Sequence, residues 1–135
     1  MIYLFLGVVI IFGVVVLTLV GKVAKKRAPT LKRDYFQNQW MELLNRVRTP
    51  EGMVLAIIDA DKLLDEALRK SRYRGKTTGE RLVAAQRLLT DNDAVWYAHK
   101  LRNRLVHEPN QKLRKKEAQN ALSGFKQALR DLGAL

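Results

Sequence analysis

The fold of this 135-residue chain is decided by residues 51–70, EGMVLAIIDADKLLDEALRK. Apolar side chains recur there every three or four positions, which is the period of an amphipathic helix and not of a strand. The preceding Thr49-Pro50 ends one helix and opens the next, since proline suits the first helical turn. We therefore predict a long helix with one buried stripe. The stripe consists of Met53, Ile57, Ala60, Leu64 and Leu68.

Helical periodicity continues on both sides of this stretch, and no segment after Asp34 alternates as a strand does. One helix is predicted before Thr49. Its apolar face consists of Phe36, Trp40, Leu43, Leu44 and Val47. After a loop at residues 73–76, Thr77 and Glu80 have the spacing of a capping box, which opens a third helix of the domain. The side chains predicted to face inward are Leu82, Val83, Ala85 and Leu89.

A fourth helix can be capped by Asp91 or Asn92. Pro109 disfavours helical geometry at the residue before it, so this helix should stop near His107. Its apolar stripe consists of Ala94, Ala98, Leu101 and Leu105.

A fifth helix can begin at Asn110 and is closed by Gly133, a residue type favoured just after a helix end. Its inward residues are Ala118, Ala121, Leu122, Phe125, Leu129 and Leu132. The prediction is an all-α fold, with four to five helices packed as a bundle.

The N-terminal segment predicts a membrane anchor. No charged side chain occurs between Ile2 and Val20, and about 20 apolar residues in a helix span roughly 30 Å, the thickness of a bilayer core. A cleavable signal peptide would carry basic residues before a shorter apolar run, whereas here the first basic residue, Lys22, follows the run. We therefore expect residues 1–21 to form a retained transmembrane helix.

Positive charge dominates the rest of the chain. All 25 Lys and Arg and all 13 Asp and Glu follow residue 21, and the formal net charge is +12. Residues 22–33 form a short basic connector, which the positive-inside rule places on the cytoplasmic side of the cell membrane. Its cations are Lys22, Lys25, Lys26, Arg27, Lys32 and Arg33. We expect an outside N-terminus and one cytoplasmic domain, residues 34–135, held close to the membrane surface.

The composition of the chain offers few side chains that could bind a metal or a cofactor. The absence of cysteine excludes disulfides and thiolate metal sites, and two histidines are too few for a histidine-rich site. His99, Asn103 and His107 follow one another at helical spacing, but this stripe lacks a third strong metal ligand. We expect neither a metal nor a cofactor.

Asp61 is the most unexpected polar residue, because on a helical wheel it falls on the apolar stripe between Val54 and Leu64. A buried carboxylate needs a partner, and a half-buried Arg102 from the fourth helix is a plausible one. We expect Asp61 to orient Arg102. A purely structural ion pair between the two is the alternative.

The segment most suited to chemistry is Arg102-Asn103-Arg104-Leu105-Val106-His107. An arginine can hold a phosphate through its planar guanidinium, and a histidine can move a proton near neutral pH. Metal-free cleavage of RNA needs both groups. On an unbroken helix Arg102 and His107 point about 140° apart, so they can share one phosphate only if the helix ends before His107 or if two subunits share the site.

This arginine, followed by a polar residue and by a histidine after four positions, resembles the motif of HEPN domains. The resemblance covers roughly residues 51–132, with long helices before the motif, the motif at a helix end and another helix after it. It implies a metal-independent RNA endonuclease or RNA-binding module, usually a homodimer whose two motifs meet in one cleft. Carried over, His107 is the proton-transfer residue, Arg102 the phosphate clamp and Asn103 the polar positioning residue.

The same residues have a structural interpretation. Arg102 can flank the core and pair with an acid, while a histidine at a helix C-terminus is favoured by the helix dipole alone. A domain of this kind could then be a non-catalytic adaptor that binds a protein partner or anionic lipid at the membrane.

Two basic groups could bind a nucleic-acid backbone or the anionic inner leaflet equally well. The first group, around the turn between the second and third helices of the domain, consists of Arg69, Lys70, Arg72, Arg74 and Lys76. The second group consists of Lys112, Arg114, Lys115 and Lys116. A simple solvated surface is the third interpretation.

Overall fold

The computed structural model describes residues 1–24, 29–108 and 110–135, except for the side chains of residues 20–24. It confirms the all-α prediction. Six helices and no strand occur within those ranges. The helices are α1 (Ile2–Ala24), α2 (Arg33–Leu44), α3 (Pro50–Lys70), α4 (Thr78–Ala85), α5 (Asn92–His107) and α6 (Lys115–Asp131). The predicted end of the fourth domain helix near His107 is confirmed, because α5 ends at that residue. Pro109 itself and the basic side chains of Lys22, Lys25, Lys26 and Arg27 lie outside this description.

Helix α1 is apolar and long enough to cross a membrane, and none of the window Ile2–Leu19 is buried against the rest of the molecule. An N-terminal signal sequence would share these properties. The helix continues to Ala24, three residues past the end predicted from the sequence.

Helix α3 is the centre of the bundle and contacts α2, α4, α5 and α6. Its predicted stripe is confirmed: Ile57, Ala60, Leu64 and Leu68 are fully buried, and Met53 packs partly buried against them. The core is completed by side chains from each of the other packed helices. They include Phe36 and Trp40 of α2, Leu82 of α4, Leu101 of α5, and Phe125 and Leu129 of α6.

The ends of several helices follow the capping chemistry of the sequence. The side chains of Thr49, Thr77 and Asp91 each accept a backbone N–H of the first helical turn that follows. At the end of α6, Gly133 has a φ of +76°, and the N–H of Ala134 donates to the carbonyl of Leu129 at 2.9 Å. That left-handed turn closes the helix as predicted.

The exposure of Val83 and the start of α6 differ from the sequence prediction. Val83 is 53% exposed, because the eight-residue helix α4 buries only the side that carries Arg81, Leu82 and Ala85. Helix α6 starts at Lys115 and not at Asn110, because the carboxylate of Glu117 accepts the N–H of Arg114 at 3.0 Å and begins the helix there.

The end of the predicted connector belongs to the bundle. Leu31 is buried in the core, and α2 begins at Arg33, inside the range predicted to be connector. Residues 29–32 line a small cavity together with Lys70, the last residue of α3. The chain that leads from α1 therefore joins the bundle beside the C-terminal end of α3.

Candidate functional site

Asp61 and Arg102 lie together, as the helical wheel predicts. Asp61 is 2% exposed in the middle of α3, and α5 brings Nε of Arg102 to 3.4 Å from its Oδ2 atom. Within the described residues this Nε makes no hydrogen bond, so the contact is an ion pair without hydrogen-bond geometry. The predicted partner of the buried carboxylate is confirmed.

A second partner of Asp61, His99, was missed by the sequence reasoning. Its Nδ1 lies 2.7 Å from Oδ1 of Asp61, and both side chains are buried. The sequence allows this stripe, since Val95, His99 and Arg102 follow at i, i+4 and i+7, but it allows the neighbouring stripe through Ala94 equally well. The predicted stripe contained Ala94 in place of Val95, although Val95 is the fully buried residue of the two.

Asn103 closes these contacts into a ring. Its amide nitrogen lies 3.4 Å from Nε2 of His99, and its amide oxygen accepts an N–H of Arg102 at 2.9 Å. A His99 tautomer with the proton on Nδ1 donates to Asp61 and accepts from Asn103, which satisfies both contacts. We call Asp61, His99, Arg102 and Asn103 the Asp61 network.

Arg102, like Asn103, is a partly exposed member of this network. Its side chain is 26% exposed, and Asp61 and Asn103 hold the guanidinium from the protein side. The other terminal nitrogen of Arg102, Nη2, makes no hydrogen bond to any described residue. Its N–H groups are therefore available to an anion. A guanidinium held in this way suits a phosphate, whose oxygens accept two parallel N–H bonds.

His107 does not join the network. It is exposed, and it is the last residue of α5, so the helix is unbroken between Arg102 and His107. Five helical residues turn the two side chains about 140° apart. One chain could place Arg102 and His107 on the same phosphate only if the helix ended before His107. The structure does not meet this condition.

The two basic groups differ in their surroundings. In the first group, Arg69 and Lys70 pair with acids one turn earlier on α3, Asp65 at 3.3 Å and Glu66 at 2.8 Å. The other members, Arg72, Arg74 and Lys76, are exposed. Because residues 29–32 pack beside Lys70, this group lies at the end of the bundle where the chain from α1 arrives.

The second group lies at the start of α6, near the end of α5. A side-chain contact between Arg104 and Glu117, at 3.3 Å, joins these two helix ends. Lys112, Arg114, Lys115 and Lys116 are all exposed. This group is therefore the closer of the two to the end of α5 that carries His107.

Known proteins give no further assignment. No protein family, characterised protein or solved structure matches the chain significantly. Within residues 1–24, 29–108 and 110–135, no three histidine or acidic side chains are grouped so that they could hold a metal ion. The chemistry open to the site is that of the Asp61 network and of the exposed His107.

Proposed function

We propose that the helical domain binds RNA and that Arg102 holds a backbone phosphate. The observation that carries this proposal is the partly exposed guanidinium fixed by a buried carboxylate. Most surface arginines must give up side-chain freedom when they bind, whereas Asp61 and Asn103 already hold this one in place. The second basic group, 112–116, supplies further phosphate contacts along the same end of the helix pair.

Cleavage of the bound RNA is the second part of the proposal. In the HEPN-like mechanism His107 takes the proton of the ribose 2′-hydroxyl, whose oxygen bonds to the scissile phosphorus as the bond from phosphorus to the 5′-oxygen breaks. The leaving 5′-oxygen takes up a proton from water, and Arg102 stabilises the charge on the phosphate. Because one chain turns these side chains apart, the His107 that serves a given Arg102 comes from a second copy. The active form is accordingly a homodimer that needs no metal.

The proposed location is the cytoplasmic face of the cell membrane, with α1 as a single-pass anchor and its N-terminus outside. The absence of native cysteine allows a direct test. In intact cells Ile2→Cys should react with an impermeant thiol reagent and Ser71→Cys should not. Reaction at Ser71→Cys alone would reverse the topology, and a shortened chain lacking α1 would identify a signal sequence.

RNA binding is best tested on the full chain in detergent micelles, with a fluorescent single-stranded RNA and EDTA present. Arg102→Gln should weaken binding by about tenfold, which corresponds to one charge-assisted phosphate contact of about 1.4 kcal/mol. Lys100→Gln is the matched control, since it removes one exposed positive charge from the same helix. An equal, small effect of both substitutions would contradict a dedicated phosphate site.

Cleavage is tested with the same samples by following RNA length. His107→Ala should abolish cleavage and leave RNA affinity within about threefold, because a proton-transfer residue acts in the transition state. Mixing Arg102→Gln and His107→Ala chains should restore part of the activity through mixed dimers that contain one intact site. No cleavage by the unmodified chain would leave RNA binding as the function.

Non-catalytic binding is the second candidate, and the exposure of His107 favours it. A histidine without a partner in the described part of the chain has no group to orient its ring, whereas catalytic imidazoles are generally oriented by a hydrogen bond. Binding without cleavage in the assay above, unchanged in His107→Ala, would support this candidate.

A further inference from the structure

An open groove of about 690 Å³ runs between α2 and α6, away from the Asp61 network. Its apolar surface comes from Trp40, Met41, Leu44 and Leu135, and Met41 is 59% exposed. The remaining lining residues are Gln37 and the cations Arg33, Lys126 and Arg130. None of the lining side chains is acidic, so the groove combines an apolar floor with three positive charges.

Trp40 points to an occupant of this groove. The side chain is 4% exposed, and its indole Nε1 has no hydrogen-bond partner among the described residues. A buried donor left without an acceptor is costly, and most buried polar groups in proteins are satisfied. The indole nitrogen itself has no accessible surface, so an occupant reaches it only after the Trp40 ring turns toward the groove. An occupant that carries an oxygen acceptor and an apolar part would then satisfy the indole and cover the exposed Met41.

We propose that the groove binds an anionic phospholipid of the bilayer that holds α1. The headgroup phosphate would contact the three cations, an ester oxygen would accept from Trp40, and an acyl chain would lie along Met41 and Leu44. Arg33 follows Ala24, the last residue of α1, by nine residues. An extended chain of that length reaches at most about 30 Å, which keeps the groove within reach of the lipid surface.

Charge argues against a second copy of the chain as the occupant. A two-fold interface apposes the same patch of both subunits, so the three cations of one groove would face those of the other. With no acidic side chain in the lining, this repulsion would be uncompensated. An anionic lipid neutralises the same charges, and each Lys or Arg near an anionic surface favours binding by roughly fivefold.

The proposal rests on α1 being a membrane anchor and not on RNA binding. The test uses the full chain with Trp96→Phe, which leaves Trp40 as the one tryptophan of the two in the sequence. Nanodiscs of fixed composition contain phosphatidylcholine and phosphatidylglycerol. In one preparation only the phosphatidylglycerol carries brominated acyl chains, and in the other only the phosphatidylcholine does.

Brominated phosphatidylglycerol should quench Trp40 at least about threefold more, per mole of brominated lipid, than brominated phosphatidylcholine. The triple variant Arg33→Gln, Lys126→Gln, Arg130→Gln should abolish this preference. A control triple variant with the same loss of charge on exposed residues outside the groove should retain it. The control replaces Lys62, Arg87 and Lys100 with Gln.

Equal quenching by the two labels, or none, would overturn the proposal. Quenching or a shift of Trp40 emission that requires two copies in each disc would overturn it in favour of self-association. Failure of the full chain to enter the discs would overturn both the anchor and the lipid site. RNA binding by Trp96→Phe in micelles is scored separately, so loss of the lipid site and loss of the RNA site are distinguishable.

Discussion

Replacing Asp61 and Arg102, singly and together, tests whether the buried carboxylate holds the arginine in place. Asp61→Asn removes the charge while keeping the size of the side chain and one acceptor for His99. Arg102→Gln removes the guanidinium and leaves Asp61 with its His99 contact. The double variant Asp61→Asn/Arg102→Gln completes a double-mutant cycle. The difference between its change in the free energy of unfolding and the sum of the two single changes measures the interaction between the two positions.

The structure sets the expected size of each step. Breaking a fully buried ion pair by removing one partner costs about 3–5 kcal/mol. Arg102 is 26% exposed and can turn toward water, so Asp61→Asn should cost less, about 2–3 kcal/mol. Arg102→Gln should cost about 1–2 kcal/mol, because His99 still lies 2.7 Å from the carboxylate. The double variant should cost about 1 kcal/mol less than the sum.

The free energy of unfolding is measured by urea titration of the full chain in micelles, with helix content followed by circular dichroism. Asp59→Asn is the control, since this carboxylate lies on the same helix, is 34% exposed and pairs with the exposed Arg46, so its replacement should cost under about 1 kcal/mol. Costs at Asp61 and Arg102 that add within about 0.3 kcal/mol would refute the coupling. RNA affinity measured on Asp61→Asn separates the two roles, because a purely structural pair would leave it unchanged.

Three further measurements test the packing and the helix ends. Gly124→Ala should destabilise the bundle by about 1–3 kcal/mol, because a Cβ at this position would lie 2.5 Å from the carbonyl oxygen of Ala94. Gly79→Ala is the control, since a Cβ there meets only ordinary contacts and should cost nothing. Equal denaturation midpoints for the two variants would contradict this packing. The N–H of Arg114 lowers the pKa of Glu117 below its ordinary value of 4.5, so its stabilisation is present above pH 4.5 and is lost as the pH falls through the lowered value. Glu117→Gln should therefore flatten the loss of stability in acid titrations below pH 4.5, and an unchanged acid profile would count against the contact. Thr49→Ala should lower the free energy of unfolding by about 1 kcal/mol through loss of its bond to the N–H of Gly52, and no change would mean that the cap is replaced by water.

Local chemistry made much of the fold predictable. The stripe of α3 and the caps at Thr49, Thr77 and Asp91 depend on spacing and on side-chain oxygens next to a helix start, and both are visible in the sequence. Val83 shows the limit of this reasoning. A wheel tells which residues share a face but not how wide the buried arc is, and the eight residues of α4 bury only Arg81, Leu82 and Ala85.

The candidate site was predictable only in part. Because Asp61 lies on an apolar stripe, the sequence predicted a partner for its buried carboxylate. The helical wheel placed Arg102 on the inner side of its own helix. The role of His99 depends on the rotation of α5 against α3, which decides whether Val95 or Ala94 is buried. That rotation is set by tertiary packing, and no local pattern in the sequence specifies it.

The Asp61 network implies different roles for Arg102, which pairs with a carboxylate, and for the exposed cations of the second basic group. Asp61 holds Arg102 in a defined orientation, but its negative charge also cancels much of the field that Arg102 presents to a phosphate. In the proposed RNA complex the network therefore contributes one phosphate contact and its geometry. The remaining affinity for a polyanion would come from cations without such a partner, and the exposed second basic group, Lys112, Arg114, Lys115 and Lys116, meets that condition. If the proposal of RNA binding is right, the salt dependence of binding should follow the number of charges in that group, whereas the position of the bound phosphate should depend on Asp61 and Arg102.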